Sequence, residues 1–237
     1  TFFKKWGLLK KVLSDKRKFL VLIVTSVLIF GNWTVWIYAV ATNRIIDASF
    51  GYFIFPILSV FFGYLFLKEK LNKKRIISIT LVLLSTVYLL FDFSSLPWIG
   101  LTVAIMWSTY NLLRKIIKVE TDIGLFIESL FILPVVIIIL YFIIQNNQND
   151  FSFDYPSLMF LIFLAGPMTV IPLFLYVKGV ELSGMGPSGM IFFIAPTGQF
   201  LLGFFYYNEE FSLNKLISFI IIWIAVSIYL KDLYENN

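Results

Sequence analysis

At 237 residues and 27.5 kDa the chain has the length of one large soluble domain or two small ones. Yet 59% of its residues are hydrophobic, 19% are aromatic, only 14% are charged, and the mean hydropathy is +0.89. A soluble surface needs about a quarter of the residues charged, so this composition specifies a polytopic membrane protein. The absence of Cys and His excludes a disulfide framework, a thiolate metal centre and imidazole acid–base chemistry. The net charge of +5 matters through its distribution across the membrane, and no nucleic-acid partner is expected.

A spanning helix needs about 20 residues to cross roughly 30 Å of hydrocarbon. Uncharged stretches of that scale predict eight helices, A to H, over about 19–42, 47–67, 74–91, 96–114, 122–144, 157–178, 185–207 and 213–231. Apolar residues run on without alternating, which argues against a β-barrel. With residues 1–18 placed inside, all Lys and Arg except Arg44 and Lys215 fall on the same side of the membrane. Both observed termini are therefore expected to be cytoplasmic. The polar stretch 145–154 reads as an outer loop without a function.

In chain order, helix A first offers Asn32, Trp33 and Trp36, which broadly share a face. An asparagine amide would lack partners in lipid, so these residues, with Tyr52 and Phe53 of B, are expected to line a substrate cavity. An interfacial aromatic belt is the competing reading, strongest for Trp36. Further along B, Pro56 interrupts the i→i−4 ladder and frees a carbonyl that lipid cannot satisfy. That favours a cavity over simple kinking. Gly63 is assigned to close helix packing or a rocking seam. Glu69 ends B either as a gate that accepts hydrogen bonds from a neighbouring helix end or as an ordinary helix-end acid. Arg75 is near enough to offset its unfavourable dipole interaction.

Helix D contains the richest polar patch of any span, Ser108-Thr-Tyr-Asn111, from which Tyr110 and Asn111 are assigned to the cavity. Glu128 lies about one and a half turns into E, ahead of an apolar run containing Pro134. An acid there must face the bundle, pair or titrate. A structural ion pair with Arg114 or Lys115 is the expected solution, and proton coupling is the alternative. Pro172 of F fits kinking for packing and is also kept in the cavity set. In G, Pro196 and Gln199 join the cavity, Gly203 joins Gly63 in packing, and Glu209 with Lys215 repeats the arrangement of Glu69 with Arg75.

These parallels form a pattern. Phe53, Ile54, Pro56, Gly63 and Glu69 recur as Phe193, Ile194, Pro196, Gly203 and Glu209 at a constant offset of 140 residues. One such period contains five helices, an odd number, so the second copy enters the membrane in the opposite direction as an inverted repeat. D and E have no upstream counterparts, which implies ten helices in two sets of five, the first two lying before residue 1. On this reading residues 1–91 are the last three helices of the first repeat, and residues 92–237 are the complete second repeat. An eight-helix protein with a coincidental B/G likeness is the alternative.

Other signals are missing from the sequence. No GxxxxGK[ST] motor motif is present, and Gly184-Met-Gly-Pro-Ser-Gly189 reads as a tight F–G turn rather than a phosphate loop. No nucleophile–base pair or acid cluster suggests catalysis, a metal or a cofactor.

Gly31-Asn-Trp-Thr-Val-Trp36, Asp47-Ala-Ser-Phe-Gly-Tyr-Phe-Ile-Phe-Pro56 and Gly63-Tyr-Leu-Phe-Leu-Lys-Glu69 closely resemble the RarD branch of the EamA-type drug/metabolite transporters. The resemblance continues through Arg114-Lys115, Glu128, Leu133-Pro134, Thr169-Val-Ile-Pro172, Pro196, Glu209 and Trp223. It implies an all-α bundle of ten transmembrane helices in two inverted repeats, in the bacterial inner membrane, that exports or exchanges small organic solutes. The branch name derives from an association with chloramphenicol sensitivity. The expected function is secondary transport of a small organic solute or drug by alternating access, without covalent chemistry. A lipid flippase or membrane enzyme with an internal groove is one alternative, and a non-transporting membrane assembly subunit is another. The expected partners are the solute, the lipid bilayer and a second copy of the chain in a homodimer.

Overall fold

A computed structural model describes residues 5–42, 44–90, 97–146, 155–205 and 213–235. The described residues contain helices and connections but no strand. The helices are α1 (Trp6–Ser14), α2 (Lys16–Ala41), α3 (Ile45–Leu67), α4 (Lys73–Leu90), α5 (Trp98–Ile117), α6 (Thr121–Gln145), α7 (Pro156–Ser183), α8 (Met185–Ile191), α9 (Ile194–Phe205) and α10 (Leu213–Glu235). Five of these segments, Lys16–Ala41, Asp47–Leu67, Thr121–Gln145, Pro156–Ser183 and Leu216–Glu235, are long and apolar enough to cross a membrane. Their outward faces are apolar as well. Ile137 and Phe163 are 56% and 75% exposed, which hydrocarbon accommodates and water would penalise. The chain is a multi-pass membrane protein.

Predicted helices A to F and H correspond to α2 to α7 and α10, and local chemistry sets several of their ends. Asp15 Oδ1 accepts the N–H groups of Arg17 and Lys18 at 3.1 and 3.2 Å, capping the start of α2. Asn72 Oδ1 accepts Arg75 N–H at 2.9 Å and caps α4 in the same way. At the end of α3, Lys68 takes the left-handed conformation (φ 57°), so that Glu69 N–H reaches back to the Gly63 carbonyl at 3.0 Å.

Two departures from the eight predicted helices stand out. Residues 6–14 form α1, because Leu9 and Val12, three apart on one face, dock into a core with Leu22, Ile117, Val119, Ile123 and Ile127. Predicted helix G is divided into α8 and α9, and the division falls at Phe192–Phe193, before Pro196. Pro196 instead occupies the first turn of α9, where a missing N–H costs nothing. The Phe192 carbonyl that it cannot reach accepts Ala195 N–H at 3.0 Å. The predicted 184–189 turn is also shorter than expected. Gly184 alone takes a positive φ, 96°, and residues 185–191 are already helical.

The chain forms two compact units. The first comprises Thr1–Phe30 and Leu113–Leu182, and the second comprises Gly31–Leu112 and Ser183–Asn237. The first is centred on the α1, α2 and α6 core, with Phe19 edge-on to Phe131 at 5.3 Å. In the second, Val60, Val82, Met190, Phe193, Ile222, Ala225 and Tyr229 pack between α3, α4, α8 and α10. Elsewhere in that unit, a Cβ at Gly51 would lie 2.6 Å from the Gly100 carbonyl oxygen. Glycine at these two positions lets the α3 and α5 backbones touch.

Candidate functional site

The aromatic residues of the second unit form a connected series. Trp36 of α2 lies 5.2 Å from Tyr52 of α3, and Tyr52 lies 5.6 Å from Phe192 at the α8–α9 break. Phe192 meets Phe55 edge-on at 4.7 Å, Phe55 approaches Trp107 of α5 at 6.1 Å, and Trp107 stacks on Tyr110 at 5.3 Å and 7°. Tyr110 and Asn111 are fully buried. The Asn111 amide donates to the Trp107 carbonyl at 2.8 Å. The series therefore links three helices to the break in a fourth, an arrangement suited to holding a flat solute by contact area.

The other residues expected at the cavity lie in varied surroundings. Asn32 donates to the Val103 carbonyl at 2.9 Å and so ties α2 to α5. Trp33 is 39% exposed, so Trp36 is the tryptophan of this pair that joins the ring series. Phe53 points to the α10 side and packs on Phe219 at 5.6 Å. Pro56 is buried, and its carbonyl would lie 3.2 Å from a Cβ at Gly189 of α8. Pro172 is exposed on α7 in the first unit. Pro196 is buried in α9, and its neighbour Thr197 accepts Trp223 Nε1–H at 2.9 Å. The side chains of Gln199 and Lys215, the surroundings of Gly203 and the whole of Glu209 lie outside the described residues.

Glu69 occupies a site built mostly from backbone. Its two carboxylate oxygens accept Met185 N–H at 2.8 Å and Gly186 N–H at 2.9 Å, the first free donors of α8. Three glycines make room for it. A Cβ at Gly63 would lie 2.5 Å from the carboxylate, one at Gly184 would lie 2.6 Å away, and one at Gly186 would lie 2.9 Å away. Gly63 thus admits a carboxylate, where close helix packing was expected. Arg75 is also placed differently from expectation. Its Nε donates to Asp232 at 2.8 Å, and its guanidinium lies over the Tyr229 ring at 5.5 Å. Asn72 donates to both oxygens of the same buried Asp232 at 2.7 Å. The offset that Glu69 needs comes from α8, and Arg75 serves α10.

In the first unit Glu128 and Arg114 come together, each with a side chain 3% exposed, at 3.6 Å between Oε1 and Nε. Thr25 Oγ1 donates to the same Oε1 at 2.6 Å. Lys115 lies apart from them. Its Nζ donates to the Val180 and Glu181 carbonyls at 2.9 and 2.6 Å, capping the last turn of α7. Sequence reasoning missed Gly124. A Cβ there would overlap the Arg114 guanidinium, so this glycine makes the space for the buried cation. It also missed Glu181, which accepts Thr121 Oγ1 at 2.7 Å and pairs with Lys178 at 2.8 Å. Among the described residues no group of three or more Asp or Glu side chains is arranged to hold a metal.

The profile of the EamA-like transporter family matches residues 2–91 and again residues 95–231. Protein RarD of Escherichia coli is 33% identical over 229 residues, covering 97% of this chain and 77% of that protein. A Vibrio cholerae protein named as an uncharacterized transporter is 34% identical over 229 residues, covering 97% and 76%. The chloramphenicol-sensitive protein RarD of Pseudomonas aeruginosa is 24% identical over 203 residues, covering 86% and 67%.

Proposed function

The chain belongs to the EamA-like transporter family, in its RarD branch, and from that premise we propose that it carries a small organic solute across the bacterial inner membrane by alternating access. One observation carries the reading. A membrane helix is broken at Phe192–Phe193, and the break is faced by the rings of Tyr52 and Phe55. Discontinuous helices place unsatisfied backbone and adjustable side chains at a transporter's binding site. In this reading the rings select the solute by contact area, and no covalent step occurs.

Glu69 is the gate on this proposal. While its carboxylate holds the N–H groups of Met185 and Gly186, α8 is fixed to the end of α3. Releasing them frees the half-helix that carries Phe192. The Glu128–Arg114 pair is a structural fastening, with Thr25 donating a hydrogen bond to the same carboxylate. Residues 1–91 and 92–237 are read as parts of two inverted repeats, and the distribution of Lys and Arg supports a cytoplasmic side for both observed ends. A homodimer is the assembly proposed.

Reconstitution in liposomes tests the function. Purified protein is given a panel of amino acids, nucleosides, cationic dyes and amphenicols, and at least one is expected to cross faster than in protein-free vesicles. Folded protein that accelerates none of them would overturn the reading. Sidedness has a separate test, since the chain has no native cysteine. Cysteines at Lys11 and Lys70 should label from inside, and one at Asp150 from outside.

A further inference from the structure

Several helical hydroxyls among the described residues follow one habit. Ser26, Ser78, Thr80 and Ser129 each donate to the carbonyl four residues back, at 2.6, 3.0, 2.9 and 2.8 Å. Ser59 of α3 and Ser108 of α5 depart from it. They are 1% and 0% exposed, and their hydroxyl oxygens have no hydrogen-bond partner among the described residues. Asn111 Oδ1 shares that condition at 1% exposure. Its amide orientation is fixed by the Nδ2 bond to Trp107 O, so the oxygen is an acceptor without a donor. A buried polar atom left in this state is costly and calls for a reason.

The three groups lie close along the chain to the aromatic series. On α3, Gly51 touches Gly100 and Phe55 approaches Trp107. The contact numbers rise together along both helices, so α3 and α5 run in the same direction there. One turn beyond that contact on each helix are Ser59 and Asn111, with Ser108 one turn before Asn111 on its own helix. Gly189 of α8 closes against Ser59, where an added Cβ would lie 2.7 Å from the serine Cβ. We infer that Ser59, Ser108 and Asn111 are the polar half of an occluded solute site whose apolar half is the Phe55, Trp107 and Phe192 rings. The inference rests on the transporter reading and deepens it. The solute class is an uncharged, flat aromatic or heteroaromatic molecule carrying N–H or O–H donors. Asn111 Oδ1 requires a donor, the rings require a flat body, and none of these six residues is ionised at neutral pH.

Two flat probes test this, benzamide with N–H donors and methyl benzoate without any, titrated into the purified full chain by calorimetry. Benzamide is expected to bind about tenfold tighter. Without ligand, Ser59→Ala and Ser108→Ala are each expected to raise Tm by about 2–4 °C, because each removes an unsatisfied hydroxyl. In both variants the preference for benzamide should shrink. Ser218→Ala is the control. Its hydroxyl is likewise buried and unpartnered, but it sits on the α4–α10 contact, so it should raise Tm and leave the preference intact. A fall in Tm for Ser59→Ala and Ser108→Ala, equal binding of the two probes, or an unchanged preference in both variants would each overturn the inference. These binding measurements need no transport. A preference that holds while every liposome assay fails removes only the transporter reading, and transport without the preference removes only this site.

Discussion

In the first unit the carboxylate of Glu128 meets a guanidinium and a hydroxyl; in the second, the carboxylate of Glu69 meets two backbone N–H groups at a helix start. Both acids lie at the ends of long apolar segments and both need an offsetting positive group, yet the means differ in kind. The Arg114–Glu128 pair is withdrawn from solvent on both sides, so removing either member strands a charge. The Glu69 contact uses the partial charge of a helix end and leaves the carboxylate half-buried. Water can substitute for such a contact when it opens. The first arrangement suits a fastening and the second a latch, and glycines make room for both.

The largest expected effect tests the fastening. Arg114→Met should cost about 3–5 kcal/mol, because Glu128 is left charged and buried without its cation. Adding Glu128→Leu should restore most of that stability, since an apolar pair fills the same space. Melting temperatures in detergent measure both. If the single variant costs no more than a surface pair would, the contrast between the units fails. Gly124→Ala sharpens the same point. It should destabilise the native chain strongly and the Arg114→Met chain much less, because the overlap it creates is with the guanidinium.

The latch should give intermediate effects. Glu69→Ala leaves the Met185 and Gly186 N–H groups without their carboxylate and should cost about 1–3 kcal/mol. Glu69→Gln keeps one acceptor oxygen and should cost less. Gly184→Ala should fall near the alanine variant of Glu69. It places a side chain at φ 96° and sets a Cβ 2.6 Å from the carboxylate, with backbone strain of about 1–3 kcal/mol. Hydrogen exchange at residues 185–191 should rise in all three. Protection that stays at the native level would mean that Glu69 does not hold α8.

How much of this was legible in the sequence depended on the range of the interaction. The long spans were readable because apolar length and flanking bases are local signals, and α2 to α7 and α10 match them. Glu128 was readable as an acid facing an apolar run, and Arg114, only 14 residues away, as one of its two candidate bases. Thr25 lies 103 residues from Glu128 in the chain, and nothing at that distance marks a partner. Asp232 drew Arg75 away from Glu69 by a similar long-range contact, 157 residues apart. The break at Phe192–Phe193 had no compositional sign, because it falls inside an apolar run, and Pro196 gave a misleading one by fitting into a first turn. Gly63 was legible as a residue that something approaches closely, but the approaching group, a carboxylate, was not. α1 was hidden among basic residues that set sidedness, since only its two docking residues announce a helix.

The smallest effect concerns a third way to hold acids, an exposed lysine at the edge of the first unit. Lys5 Nζ meets Glu120 at 2.6 Å and Asp122 at 2.7 Å. Its hydrogen bond to Asp122, followed by that to Glu120, pushes its pKa up from 10.5 to about 12. The sign of the linkage follows from that rise. Below the unfolded value near 10.5 the lysine is charged in both states and its whole contribution is present. As pH climbs from there through about 12, the unfolded chain releases the proton before the folded chain does, and the contribution is lost. Lys5→Met should therefore lower Tm by the same small amount at every pH from about 6 to 9, and the gap to the native chain should close only in strong alkali. Raised salt should narrow it at any pH, because an exposed pair is screened. The same salt should hardly change the loss from Arg114→Met, whose pair is shielded from solvent. Equal salt sensitivity in the two variants would mean that burial does not separate these arrangements.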